Sequence, residues 1–139
     1  MKTKAPASKY KTIMLIDDNE IDNFINEKLI KAYYFAENVY VHTSTRSALE
    51  FLKNIEVTLD EIPENLIPSH ILLDINMPIL DGFNFLDEFE TFAPELKKKI
   101  RIAMLTTSLN PLDVEKSKQY KSVVKFIHKP LTEQELSDL

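Results

Sequence analysis

Five short runs of apolar residues alternate with amphipathic stretches along this chain of 139 residues. The runs lie at residues 13–16, 39–41, 71–73, 100–105 and 123–127. A nearly continuous apolar run is typical of a parallel strand covered on both faces, and strands that alternate with helical patterns predict βα units. We therefore expect an α/β fold with a five-stranded parallel sheet in a three-layer sandwich. Because crossovers between parallel strands are right-handed, such units form a doubly wound sheet, commonly in the strand order 2-1-3-4-5.

The stretches between the runs carry helix signals. Ser44 precedes the predicted second helix, Asn110 the fourth and Thr132 a short last helix, and these residue types are favoured as helix caps. Asp18 or Asn19 can cap the first helix, which is predicted from apolar residues at helical spacing, namely Ile21, Phe24, Ile25, Leu29 and Ala32.

Two segments lie outside this alternation. Residues 1–11 hold four lysines and Pro6 without an apolar period, and we predict a disordered tail there, followed by one domain over residues 12–139. The segment from Glu56 to Pro68 is acidic and carries two prolines, which favours a long exposed connection.

The composition excludes several kinds of site. A single glycine, Gly82, rules out glycine-rich phosphate loops, and the absence of cysteine rules out thiolate chemistry and cysteine-bound metals. The net charge is −5, with acidic and basic residues intermixed, which argues against direct nucleic-acid binding. The apolar runs are too short to span a membrane, so we expect a soluble cytoplasmic protein.

Polar residues follow four of the five predicted strands at their carboxyl ends. They are Asp17 and Asp18 after the first, Asp74 after the third, Thr106 at the end of the fourth and Lys129 after the fifth. Ligands of doubly wound sheets bind at this edge, next to the point where the strand order reverses. Clustered carboxylates repel one another unless a cation is present, and a site of oxygen ligands alone selects Mg²⁺ or Mn²⁺.

Such a site suits phosphoryl transfer. A cation offsets charge on the phosphoryl oxygens while a carboxylate attacks in line. Asp74 is the best candidate nucleophile because it follows the central strand, between the acidic pair and Lys129. Lys129 can place a positive charge against a phosphoryl oxygen, and Thr106 can donate a hydrogen bond to the same group.

Four motifs occur in order on the predicted strands: IMLIDDNE at 13–20, LLDINMPILDG at 72–82, MLTTS at 104–108 and FIHKP at 126–130. Together they resemble the receiver domain of bacterial two-component response regulators, the CheY-like superfamily, from Lys11 to the end of the chain. In that family Gly82 stands at the entry to the third helix, a turn that can require a positive φ. The long connection at 56–68 resembles receivers of the cyanobacterial phytochrome partner type.

The resemblance implies a role for each polar residue. Asp74 would accept a phosphoryl group from a histidine of a sensor kinase or a phosphotransfer protein. Asp18 would bind magnesium directly, Asp17 largely through water and Asn76 through its main-chain carbonyl. Lys129 would pair with the phosphoryl group and would precede a cis peptide bond to Pro130.

The resemblance also implies a conformational switch. Thr106 would move toward the phosphoryl oxygen and Phe126 would follow it inward. Phosphorylation would then shift the population between two packings, read by a downstream protein on the fourth helix, fifth strand and fifth helix of the predicted order. We expect a stand-alone receiver, with a homodimer as one option, and no enzyme activity beyond self-phosphorylation and autodephosphorylation.

Two other functions are compatible with the sequence. One is a magnesium-dependent phosphohydrolase with an aspartyl nucleophile, although such hydrolases carry a second aspartate where this chain has Asn76. The other is a pseudo-receiver that binds a partner without phosphorylation, against which the complete set of polar residues argues. His42 and His128 flank the site edge without ligand spacing and favour surface positions, and His70 lies at the opposite end of the third strand.

Overall fold

Five parallel strands form one sheet in the computed structural model, which describes residues 7–139. In chain order they are β1 (Tyr10–Ile16), β2 (Ala36–His42), β3 (His70–Leu73), β4 (Arg101–Thr106) and β5 (Val123–His128). The spatial order is β2-β1-β3-β4-β5, and every neighbouring pair is parallel. The predicted fold class and strand order are confirmed.

Six α-helices occur within residues 7–139: α1 (Glu20–Ala32), α2 (Thr45–Val57), α3 (Gly82–Phe89), α4 (Pro94–Lys97), α5 (Pro111–Ser117) and α6 (Glu133–Ser137). The predicted caps are confirmed, because the side chains of Asn19, Ser44, Asn110 and Thr132 each accept a backbone N–H at the start of their helix. The short α4 has no counterpart in the predicted order. The output surface expected from the resemblance therefore corresponds to α5, β5 and α6.

The core has two layers, one on each face of the sheet. Alternate strand residues contribute to each, so that Met14 and Leu73 pack on one side and Leu15 and Leu72 on the other. The first layer is closed by α2, α3 and α4, and the second by Ile30 of α1 and by α6. All four residues of β3 are buried because helices cover both faces of the sheet. The strands are parallel, so their polar carboxyl ends meet at one edge.

The first strand begins earlier than predicted. β1 starts at Tyr10, inside the segment expected to be a tail, because the Tyr10 ring packs against the rings of Phe35 and His70 at centroid distances of 5.1 and 4.5 Å. Residues 1–6 of the predicted tail lie outside the described residues.

The first helix faces the core with a different side than its apolar spacing indicates. Ile21, Phe24 and Ile25 are exposed by 70%, 64% and 48%, whereas the buried residues are Asn23, Asn26 and Ile30. The Nδ2 group of Asn23 donates a hydrogen bond to the main-chain carbonyl of Asp17 over 2.8 Å. Polar contacts with the end of β1 therefore orient α1: Leu29 of the predicted stripe packs against the core, while Ile21, Phe24 and Ile25 remain exposed.

The long connection is mostly exposed, as predicted, but its last residues are buried. It contains a 3-10 turn at Glu64–Leu66, and Ile67 is buried against the core. The hydroxyl of Thr12 donates to the carbonyl of Asn65 over 2.7 Å, and the hydroxyl of Tyr40 donates to the carbonyl of Leu66 over 2.9 Å. These bonds hold the end of the connection against β1 and β2.

Candidate functional site

Backbone hydrogen bonds position Asp17, Asp74 and Lys129, each of which directly follows the last residue of a strand. The amide of Asp74 donates to the carbonyl of Ile16 over 3.0 Å, and that of Lys129 donates to the carbonyl of Thr106 over 2.9 Å. Asp17 is held likewise, since its amide donates to the carbonyl of His42 over 3.0 Å. Because the ladder continues past each strand, these side chains begin from fixed points along one edge of the sheet.

Three carboxylates meet at this edge. One oxygen from each of Asp17, Asp18 and Asp74 lies within 4.8 Å of the others. Asp17 and Asp74 are buried and Asp18 is exposed, so the cluster opens to solvent on one side. The donor set is oxygen alone, which suits a hard divalent cation that keeps some of its water. The residues present therefore fit a magnesium or manganese ion.

The environment of Asp74 disfavours its charged form. Burial raises the pKa of this carboxyl, and the nearby Asp17 carboxylate raises it further. The Lys129 ammonium, the Thr106 hydroxyl and the Asn76 backbone amide counteract part of the rise, but the net shift of the pKa is upward. A cation at the cluster would relieve this repulsion, since opposite charge favours the ionised form.

Lys129 contacts three carboxylates at different distances. Its Nζ donates to Asp17 Oδ2 over 2.6 Å and to Asp22 Oδ2 over 2.8 Å, while Asp74 Oδ2 lies 3.7 Å away. Burial lowers the pKa of the ammonium, but the hydrogen bonds to Asp17 and Asp22 outweigh it and the pKa is raised overall. The peptide bond between Lys129 and Pro130 is cis, as the resemblance implies.

Asp22 is the site neighbour that sequence reasoning missed. It lies in the first turn of α1, four residues after Asp18. Asp18 precedes the N-cap Asn19 and lies outside the helix, so helical spacing does not relate the two residues, and no local pattern indicated the contact between Asp22 and Lys129.

The two predicted switch residues lie on the same face of the sheet. Thr106 is fully buried, and its Oγ1 accepts a hydrogen bond from the backbone N–H of Ser108. Phe126 is partly buried against the core layer that contains Met104, its register partner on β4. Its ring meets that of His128 edge-on at 5.5 Å.

Gly82 is required for a different reason than expected. Its φ is not positive, but a Cβ at this position would lie 2.6 Å from the carbonyl oxygen of Asp74 and 2.9 Å from the Cα of Ile75. The start of α3 thus lies too close to the backbone of Asp74 and Ile75 for residue 82 to carry a side chain. The positive φ of this loop, 70°, occurs at Ile79 instead.

The remaining residues considered in the sequence analysis are Asn76 and the three histidines. Asn76 is exposed two residues beyond Asp74. His128 is exposed and His42, half-buried, exchanges a hydrogen bond with Ser47 over 2.7 Å. His70 is buried at the far end of β3, where burial lowers its pKa to about 4.

Comparison with known proteins identifies this arrangement. A model of the response regulator receiver domain matches residues 13–139. A two-component response regulator from Cytophaga hutchinsonii is 31% identical, with a TM-score of 0.82 over 94% of this chain and 93% of that one. The bacteriophytochrome response regulator RtBRR is 25% identical, with a TM-score of 0.72 over 93% of this chain and 75% of that one.

A third solved structure is a Mn²⁺-bound form of the response regulator Rcp1. It is 27% identical to this chain, with a TM-score of 0.68 over 92% of this chain and 87% of that one. No curated protein was found to match the sequence. Within the described residues, no helix combines the length and apolar character that crossing a membrane requires.

The family match covers all five strands except the first residues of β1, and it includes every candidate site residue. The strand order, the acidic cluster and the lysine after β5 agree with it. The chain therefore belongs to the receiver domain family of CheY-like response regulators, which are signalling domains.

Proposed function

We propose that this receiver accepts a phosphoryl group on Asp74 from the phosphohistidine of a sensor histidine kinase or a histidine phosphotransfer protein. The observation that carries the proposal is the placement of the Lys129 ammonium 3.7 Å from a buried carboxylate inside a three-carboxylate cluster. The proposal includes a cytoplasmic location, where ATP-dependent kinases form phosphohistidine.

Asp17, Asp18, Asp74 and the main-chain carbonyl of Asn76 would hold a magnesium ion, with manganese as a substitute. When bound, the ion supplies positive charge that offsets the phosphoryl oxygens. The oxygen donor set and the raised pKa of Asp74 support this assignment.

The transfer itself exchanges one bond for another. A carboxylate oxygen of Asp74 attacks phosphorus, an O–P bond forms, and the N–P bond of phosphohistidine breaks with its electron pair returning to the imidazole. Lys129 pairs with a phosphoryl oxygen, and the buried Thr106 hydroxyl donates a hydrogen bond to another. The exposed Thr107 follows directly, and we propose that its side chain narrows access to the phosphoryl group.

The signal would then pass through the switch residues. Thr106 and Phe126 lie on one face of neighbouring strands, and we propose that movement of the hydroxyl toward the phosphoryl group would free space for the aromatic ring. This supports a population shift that α5, β5 and α6 present to a downstream protein.

A protein donor and a protein target are favoured over a small metabolite because large apolar side chains are exposed on segments that follow the strands bearing the site residues. Ile21 and Phe24 on α1 are exposed, as are Ile79 after Asp74 and Leu109 after β4. Contiguous exposed apolar patches mark protein interaction sites, and we propose that these side chains contribute to such a patch.

The test is incubation with acetyl phosphate and Mg²⁺, followed by intact-mass measurement. The wild type should gain one phosphoryl group, and Asp74→Asn should gain none. No gain in the wild type would favour a pseudo-receiver, and an undiminished gain in Asp74→Asn would remove Asp74 as the acceptor. Continuous turnover of a general phosphate ester would favour the phosphohydrolase.

A further inference from the structure

Asp22 shares the Lys129 ammonium with the acidic cluster but does not belong to it. Its Oδ2 lies 2.8 Å from Lys129 Nζ, nearer by 0.9 Å than the 3.7 Å to Asp74 Oδ2. The Lys129 side chain is only 12% exposed and that of Asp22 is 34% exposed, so this ion pair is partly shielded from solvent. Asp22 is not among the three carboxylates that could hold a metal.

We propose that Asp22 is a positioning residue that holds the Lys129 ammonium away from Asp74 in the resting protein, and that the incoming phosphoryl group must take the ammonium from it. Asp22 thereby lowers the rate at which Asp74 is phosphorylated. This inference rests on the proposed function of Asp74 and Lys129.

The geometry of the ammonium supports the competition. A lysine has three N–H donors, and two of them are engaged at 2.6 and 2.8 Å by Asp17 and Asp22. At 3.7 Å, Asp74 is too distant for a hydrogen bond. One N–H remains for a phosphoryl oxygen on Asp74, so the competition that we propose is one of position: the ammonium has to move from the Asp17 and Asp22 carboxylates toward Asp74 to use it.

Asp22 cannot follow the lysine freely, because its backbone is fixed. Its amide donates to the capping oxygen of Asn19 over 3.0 Å, and the next residue, Asn23, is bonded to the carbonyl of Asp17. A phosphoryl group carries about two negative charges and is a stronger partner than one carboxylate. The ammonium therefore moves toward Asp74, and its contact with α1 lengthens.

Removing the Asp22 charge should make the ammonium available to the phosphoryl group without breaking an ion pair. At saturating Mg²⁺ and subsaturating acetyl phosphate, Asp22→Asn should be phosphorylated roughly fivefold faster than the wild type, the factor expected for loss of one partly exposed ion pair. Asp22→Glu, which keeps the charge, should remain within about twofold of the wild-type rate.

Glu20→Gln is the matched control. Glu20 lies in the same first turn of α1 and is exposed, and its substitution removes the same charge without a contact to Lys129. Its rate should remain at the wild-type value. An equal acceleration in Glu20→Gln would show a general effect of charge on the anionic donor and would overturn the proposal.

A double-substituted protein separates positioning from a structural role. In the Lys129→Ala background the ammonium is gone, so Asp22→Asn should no longer change the phosphorylation rate. Acceleration that persists in that background, or an unchanged or slower rate for Asp22→Asn alone, contradicts the inference. Wild-type protein that gains no phosphoryl group, or Asp74→Asn that does, contradicts the proposed function instead.

Discussion

Gly82 lies where the start of α3 crosses the backbone of the proposed phosphoacceptor segment. Replacing it by alanine places a methyl group 2.6 Å from the Asp74 carbonyl oxygen and 2.9 Å from the Ile75 Cα. Both neighbours are backbone atoms that cannot rotate away, so we expect Gly82→Ala to lower the free energy of unfolding by about 1–3 kcal/mol. Urea unfolding followed by circular dichroism measures this.

Glu88→Ala provides a control on the same helix, because Glu88 is exposed and its loss should change stability by less than about 0.5 kcal/mol. Equal stabilities of Gly82→Ala and the wild type would show that the two segments can separate at no cost.

The buried carboxyl of Asp74 links stability to pH. Burial and then the Asp17 carboxylate raise its pKa above the ordinary value of 3.8. A carboxyl with a raised pKa in the folded state stabilises the fold below its unfolded pKa, and this contribution is lost as the pH rises through the folded pKa. Ionised Asp74 is therefore destabilising at pH 7.

Asp74→Asn removes that charge, and we expect its melting temperature at pH 7 without divalent cations to exceed that of the wild type by roughly a few degrees. The gain should disappear near pH 3, where both states of the wild-type residue are protonated. Asp60→Asn, at an exposed position, should show neither effect. A lower melting temperature for Asp74→Asn at pH 7 would contradict the charge argument.

At the scale of elements, α1 shows where apolar spacing misleads. The exposed Phe24 of its apolar stripe is 64% accessible, while Ile30 is fully buried. Phe24→Gln should therefore change the free energy of unfolding by less than about 1 kcal/mol, and Ile30→Ala should lower it by about 2–5 kcal/mol. Chemical denaturation of the two variants compares them directly. Similar large losses for both would place the apolar stripe against the sheet.

The strands were the predictable elements, since residues such as Ile71 and Leu72 have to be apolar to lie under helices on both faces. The edge residues were predictable for a related reason: parallel strands end together, so Asp17, Asp74 and Lys129 had to converge. The orientation of α1 was not, because it depends on a bond from Asn23 to the main chain of Asp17. The role of Gly82 was likewise hidden, since a close approach between distant segments leaves no local pattern.

At the scale of the whole molecule, a cation at the acidic cluster would be bound only by the folded chain. The three carboxylates come from the ends of two different strands, so unfolding separates Asp17 and Asp18 from Asp74. A ligand that binds the folded state alone stabilises it by mass action. Metal affinity and global stability would therefore be linked in this protein.

We expect Mg²⁺ to raise the free energy of unfolding by about 2.7 kcal/mol at a concentration one hundred times its dissociation constant. The chain has five tyrosines and no tryptophan, so thermal unfolding followed by tyrosine fluorescence reports it. Asp18→Asn removes an exposed carboxylate of the cluster and should abolish most of the shift, whereas Asp60→Asn should retain it. If Mg²⁺ leaves the wild-type melting temperature unchanged, the carboxylates meet without holding a metal, and Lys129 is then their sole counter-charge among the described contacts of the cluster.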